Sequence, residues 1–394
     1  MKKIALVVFS IFLLVGLGFV YINSTQPGFV QEIVNQATPP KKDIKSFLPQ
    51  GSALSYPLNI ERGYSMGVFA DVGSGKPRML ALDPIGNIVV SITNQGKVVA
   101  LPDTDNDGVA EPAVDILTGL DRPHGIAFDG QYIYVAETDK VTRYFYNPKT
   151  FAVGASKLLF SLPSGGGHYT RTIKIHGDEL YVTVGSSCNV CLESEDQRAA
   201  MLVSNLDGSS LREFASGLRN TVFFDFDNKG QVWGNDMGRD NLGDHLPPDE
   251  LNVISTGSDY GWPYCYGNKI RDEKFESGNL SQYCIDTKAP AFEYPAHVAP
   301  LGITFIDSNL FPSSDQGNLL VAFHGSWNSS VPVGYKIVKL SFYGGVVTSM
   351  TDFISGFIQG AEVLGRPVDL MFDREGYLYI TDDKSGLIYV VSKG

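Results

Sequence analysis

Basic residues are in the minority here: 31 Lys and Arg stand against 43 Asp and Glu, a net charge of −12. A partner held by its phosphate backbone needs clustered Lys and Arg, so the balance argues against a nucleic-acid binder and the charge reads as solubility. Cysteine is scarce, with Cys188, Cys191, Cys265 and Cys284 only. Leu192, not His, follows Cys191, which rules out the C-x-x-C-H haem pattern, and no further ligands stand at zinc spacing. Two local disulfides, Cys188 with Cys191 and Cys265 with Cys284, are therefore expected, and with them an oxidising compartment. Helical periodicity of useful length is missing after residue 50, which disfavours an α/β barrel.

Charge is also absent from Ile4 to Ile22, behind Lys2 and Lys3. That run matches the ~20 apolar residues that span a bilayer. It lacks a small-x-small cleavage site near Phe19 to Asn23 and a lipobox cysteine, so residues 1–22 read as a membrane anchor or a signal segment, with the uncleaved anchor favoured. The next Lys is Lys41, which keeps the N-terminus cytoplasmic and sends the rest to the periplasm or cell surface. Residues 23–57, with Pro27, Pro39, Pro40 and Pro49, read as a linker, and residues 58–394 as the folded domain.

What the chain has in quantity is glycine, 42 residues, and proline, 21, spread as turns between apolar runs. Six segments share one design: a polar lead-in, a short apolar strand, an Asp/Gly/Asn turn and an alternating strand. They begin at Pro77 (PRMLALDPIGNIVVSI), Arg122 (RPHGIAFDGQYIYVAE), His168 (HYTRTIKIHGDELYVTV), Arg219 (RNTVFFDFDNKGQVWGN), Ala299 and Arg366 (RPVDLMFDREGYLYIT). Third and fourth strand candidates follow each hairpin. Four antiparallel strands recurring at the ~40–50 residue period of propeller blades predict an all-β fold, a six-bladed β-propeller. The last repeat lacks an outer strand, and Tyr64 to Val72 is predicted to supply it and close the ring.

In such a ring the lead-ins and the loops between second and third strands emerge at one face. The lead-ins carry Arg78, Arg122, His124, His168, Arg171, Arg219, Asn220, His297 and Arg366. The long second-to-third loops add Asp236, Arg239, Asp240, Asp244, His324 and Trp327. Recurrent Arg and His at one structural position predict a cationic pocket with acidic neighbours, because buried unpaired arginines are costly without an anion to face.

GHYTRT, GLRN, DMGRDNLGDHLPPDELN, YGWPYCYG and HGSWN with VPVGYK, in that order, resemble the sorbosone dehydrogenase-like branch of the soluble pyrroloquinoline quinone (PQQ) sugar dehydrogenases. The resemblance covers most of residues 60–394. It implies a six-bladed propeller holding PQQ and Ca²⁺ at the channel mouth, a sugar hydroxyl or aldehyde as substrate, and a separate electron acceptor such as a cytochrome or quinone. By matched position, His168 is the expected general base and Arg219 its catalytic companion. His124, Arg171, Arg219, Asn220, Asp236, His324 and Arg366 are the expected cofactor contacts. Gly238 and Arg239 match the calcium-binding turn, with Asp249 behind them. The better-known glucose-oxidising branch has an acid where this chain has Gly167.

LPDTDNDGVAE separately places Asp103, Asp105 and Asp107 at the start of a calcium-loop pattern, although Val114 stands where the pattern wants Glu. That stretch is either a second Ca²⁺ turn or a plain Asp/Asn/Gly hairpin. Two rival readings remain for the whole chain: a calcium-dependent propeller lactonase, which would need several carboxylates in the channel, and a non-catalytic propeller that binds a glycan or protein.

Overall fold

In a computed structural model of the chain, residues 58–275 and 279–393 are described. The expected anchor, 1–22, and linker, 23–57, lie outside them. Among the described residues no helix is long and apolar enough to cross a membrane. The strands form six sheets whose four-stranded cores are antiparallel as predicted, and in five of them those four strands run in chain order. The first blade is Pro77–Leu82, Ile88–Ile92, Lys97–Leu101 and Val114–Leu117, and the second is Ile126–Asp129, Tyr132–Ala136, Lys140–Asn147 and Ala152–Ser161. The third runs from Ile173–His176 to Arg212–Ser216, the fourth from Thr221–Phe226 to Phe292–Tyr294, and the fifth from Pro300–Phe305 to Val346–Ser355.

The sixth blade holds Pro367–Phe372, Leu378–Asp382 and Leu387–Lys393, and its outer strand is Tyr64–Asp71, paired antiparallel with Leu387–Lys393. The predicted closure is thus observed. Alternation explains why the blades stack: each sheet presents apolar side chains to both neighbours. One hydrophobic cluster fills each gap, for instance Val98 with Ile133, Tyr134 with Leu202, Met201 with Phe224, Leu251 with Val321, Ile337 with Tyr389, and Tyr379 with Val90.

Two glycines let the inner strands approach at the axis. A Cβ on Gly125 would lie 2.5 Å from the Arg171 carbonyl oxygen, and one on Gly302 would lie 2.4 Å from that of Val368. The inner strands of the first, fourth, fifth and sixth blades share a further device, a bulge near the first residue, between Pro77 and Leu80, Thr221 and Phe224, Pro300 and Ile303, and Pro367 and Leu370. A bulge bends its strand and re-aims side chains. Here it lies beside Arg78, Asn220 and Arg366. The fourth blade's long insertion carries one seven-residue helix, Leu280–Asp286, fastened by the Cys265–Cys284 disulfide.

Candidate active site

Lead-ins and second-to-third loops enclose a cavity of about 410 Å³, within the ~300–1,000 Å³ of small-molecule sites. Arg78, His168, Arg219, Asn220, His297 and Arg366 reach it from the lead-ins, and Gly238, Asp240, Asp249, His324 and Trp327 from the loops. Groups distant in sequence therefore meet at one mouth, as the repeat pattern requires.

His168 sits on the lead-in to the third blade. Its Nδ1 lies 3.0 Å from the Ser186 carbonyl and 2.9 Å from the Ser186 hydroxyl, which itself donates to the Cys188 carbonyl. The carbonyl can only accept, so Nδ1 carries the proton and Nε2 keeps its lone pair. Burial, and then the charge of Arg219, pull the His168 pKa down to about 4. At neutral pH this is a neutral imidazole, able to accept a proton.

Arg219 is 4% exposed and leads into the fourth blade. Its guanidinium donates to the Asn189 carbonyl (2.9 Å), the Asn189 side-chain oxygen (2.9 Å) and the Met237 carbonyl (3.1 Å), with Asp240 at 3.6 Å. Arg366 leads into the sixth blade and lies across the Tyr335 ring at 4.8 Å. Its guanidinium donates to the carbonyls of His324, Gly325 and Ser326 and to the Tyr335 hydroxyl. Among the described residues no carboxylate pairs with it. A half-buried guanidinium at the cavity wall, whose own hydrogen-bond acceptors are all neutral, favours an anion there.

Four of the sequence-expected contacts do not line this cavity. His124, 1% exposed, packs against Phe223 with Nδ1 at 3.2 Å from the Thr172 hydroxyl. Arg171, 0% exposed, spends its guanidinium on the carbonyls of His168, Thr170 and Pro163 and so shapes the lead-in that carries His168. Asp236 ends the second strand of its blade and accepts the backbone N–H groups of Arg219 and Asn220 and the Thr221 hydroxyl. The equivalent Asp382 accepts the Arg366 N–H, so this carboxylate serves to fix the lead-in. Arg239 turns away to Asp272 at 2.9 Å. Arg122 is exposed over the Tyr169 ring, and Asp244 pairs with Ser330 at the surface.

Sequence reasoning missed Asp383, Asn189, Ser186 and Tyr335. Asp383 follows the second strand of the sixth blade, the position that elsewhere contributes loops to the site, and that register was its available signal.

The turn expected to hold Ca²⁺ is built tightly. A Cβ on Gly238 would meet Pro247 at 2.7 Å and the Pro248 carbonyl at 2.9 Å. Asp249 accepts the N–H groups of Gly238 (2.8 Å) and Ala299 (2.9 Å), one on each oxygen, and burial pushes its pKa up to about 7. Asp249, with an N–H on each oxygen, thus orients the turn. Few side-chain carboxylates reach the cavity, which disfavours the lactonase reading. Asp103, Asp105 and Asp107 do cluster, their oxygens within 4.8 Å of one another, in the first blade.

A family model described as TrAA12-like matches residues 58–394. The chain belongs to the TrAA12-like family. An uncharacterized protein of Borreliella burgdorferi is 32% identical over 88% of this chain and 94% of its own length. A protein of Hypocrea jecorina named pyrroloquinoline quinone-dependent sugar dehydrogenase is 25% identical, over 85% of this chain and 91% of that one. The pyrroloquinoline quinone-dependent pyranose dehydrogenase of Coprinopsis cinerea is 24% identical, and the match spans 55% of its length. Among solved TrAA12-like folds, a calcium structure of the Trichoderma reesei AA12 enzyme superposes with a TM-score of 0.77 at 22% identity, covering 88% of this chain and all of that one. The holo PQQ domain of the Coprinopsis enzyme gives 0.75 at 22% identity, over 88% and 99%.

Proposed function

We propose that this chain is a PQQ- and Ca²⁺-dependent sugar dehydrogenase acting outside the cytoplasm. The observation that carries the reading is one cavity holding a neutral His168 and an Arg366 that has no carboxylate partner among the described residues, in a chain whose named relatives are PQQ-dependent dehydrogenases. PQQ would supply the two-electron acceptor and Ca²⁺ a Lewis acid.

The chain's own groups then have distinct tasks. Arg366, stacked on Tyr335, would take a carboxylate, and Asn220 would donate from the fourth blade's lead-in. Arg219 would stabilise negative charge developing on the acceptor's oxygen. The Gly238–Arg239 turn, braced by Asp249, would hold the cation. His168 Nε2 would take the hydroxyl proton of a sugar, a task suited to an imidazole kept neutral and fixed through Nδ1. Trp327, exposed at the rim of the cavity, would meet the sugar as it enters. Both disulfides are formed, which supports an oxidising compartment. Retention by residues 1–22, and delivery of electrons to a cytochrome or quinone, complete the proposal.

The test is reconstitution of the full-length protein with PQQ and Ca²⁺, followed by reduction of an artificial dye acceptor with a panel of aldoses. Sugar-dependent dye reduction that disappears on chelation with EGTA is expected. A protein that binds no PQQ, or that hydrolyses lactones without it, would end this reading.

A further inference from the structure

The Cys188–Cys191 disulfide closes a ring around only Asn189 and Val190. It restricts the unfolded chain less than Cys265–Cys284, whose partners lie 19 apart, so its effect is mainly on local shape. The ring sits in an irregular stretch between the strands Glu179–Val184 and Ala200–Asn205. Asn189 does not line the cavity, yet it holds the guanidinium that does. Its carbonyl accepts from Arg219 Nε and its side-chain oxygen from Nη2, both at 2.9 Å. The same oxygen accepts the Asp240 N–H at 2.8 Å, while its amide donates to the Asp240 carbonyl at 3.3 Å, a pattern that fixes which way the amide points. Val190 is buried, and its carbonyl accepts from Lys274. Cys188 gives its carbonyl to the Ser186 hydroxyl, which lies against His168 Nδ1.

We infer that Asn189, held by the Cys188–Cys191 ring, is a positioning residue for the Arg219 guanidinium. The inference rests on the proposed function for the task it gives Arg219. A backbone carbonyl and a side-chain oxygen from one residue can both face one guanidinium only if that residue's backbone is fixed, and a disulfide one residue before it and two after it does this. Arginine's planar fork rewards such a matched pair of acceptors more than a point charge would.

Two readouts test it in C188S/C191S, Asn189→Ala and Asn189→Asp. The first is hydrogen exchange of the Arg219 Nε–H, followed by NMR in cofactor-free protein; the second is equilibrium affinity for PQQ with Ca²⁺ present. C188S/C191S is expected to speed exchange and weaken PQQ at least tenfold each. Asn189→Ala should move both the same way, and combining it with C188S/C191S should cost less than the sum. Asn189→Asp, which keeps the acceptor oxygen, should recover most of the exchange protection. C265S/C284S should lower the thermal midpoint while leaving both readouts unchanged. Wild-type exchange or wild-type PQQ affinity in C188S/C191S overturns the inference. Should the unaltered protein bind no PQQ, the functional reading falls, and exchange alone decides whether Asn189 positions Arg219.

Discussion

His324 and Asp383 meet across the boundary between the fifth and sixth blades, Nε2 to Oδ1 at 2.9 Å. The other oxygen of Asp383 accepts from Arg78 of the first blade at 2.7 Å. One carboxylate therefore ties three blades at the rim of the cavity. Burial alone would raise its pKa, but the charges and hydrogen bonds of His324 and Arg78 hold it well below the usual carboxylate range.

Asp383→Asn should remove that tie. Breaking a buried pair costs ~3–5 kcal/mol, and the 13% exposure of both Arg78 and Asp383 side chains lowers the expectation to roughly 2–3 kcal/mol. Urea unfolding measures it. An unchanged midpoint would show that the rim does not need the carboxylate.

His168 gives a pH signature. Its folded pKa, about 4, lies below the ~6.5 of an unfolded histidine, so the unfolded chain binds the proton more tightly between those values. The stability it contributes is present above pH ~6.5 and lost as pH falls toward 4. His168→Asn should flatten this part of the stability profile in cofactor-free protein. In the reconstituted enzyme the acid limb of kcat/KM should fall near pH 4, and His168→Ala should lower kcat by ~10²–10⁴.

Arg366→Ala should weaken PQQ binding by about one to two orders of magnitude, the loss of a charge-assisted contact of ~1.5–3 kcal/mol. Arg366→Lys should not restore it, because the ammonium cannot both lie on Tyr335 and present a planar fork. Recovery by lysine in a binding titration would argue against a carboxylate clamp.

Phe69, 1% exposed on the ring-closing strand, packs edge-on against Tyr379. Phe69→Ala should cost ~3–5 kcal/mol, as for other buried aromatics. Substitution of the exposed Asp71 at the end of the same strand should be near neutral. Equal effects in denaturation would mean the closing strand is not fastened by packing.

The fold was legible because propeller blades advertise themselves locally: each hairpin's turn and alternation lie within about sixteen residues, and the missing outer strand could be found by counting. The site was legible only in part. His168, Arg219, Asn220, His324 and Arg366 sit where repeat register puts them. His124, Arg171 and Asp236 share that register but turn into the protein, since side-chain direction at a lead-in depends on φ and on which carbonyls lie nearby. Asn189 and Asp383 act through contacts 30 and 59 residues away in sequence, to Arg219 and His324, a relation no local pattern encodes.

The pairing of Tyr64–Asp71 with Leu387–Lys393 sets an order on biogenesis. Tyr64–Asp71 leaves the ribosome or an export channel long before its partner strand, so five blades must persist as an open arc with exposed apolar edges. Chaperone demand should peak in that interval and end when the seam is sewn.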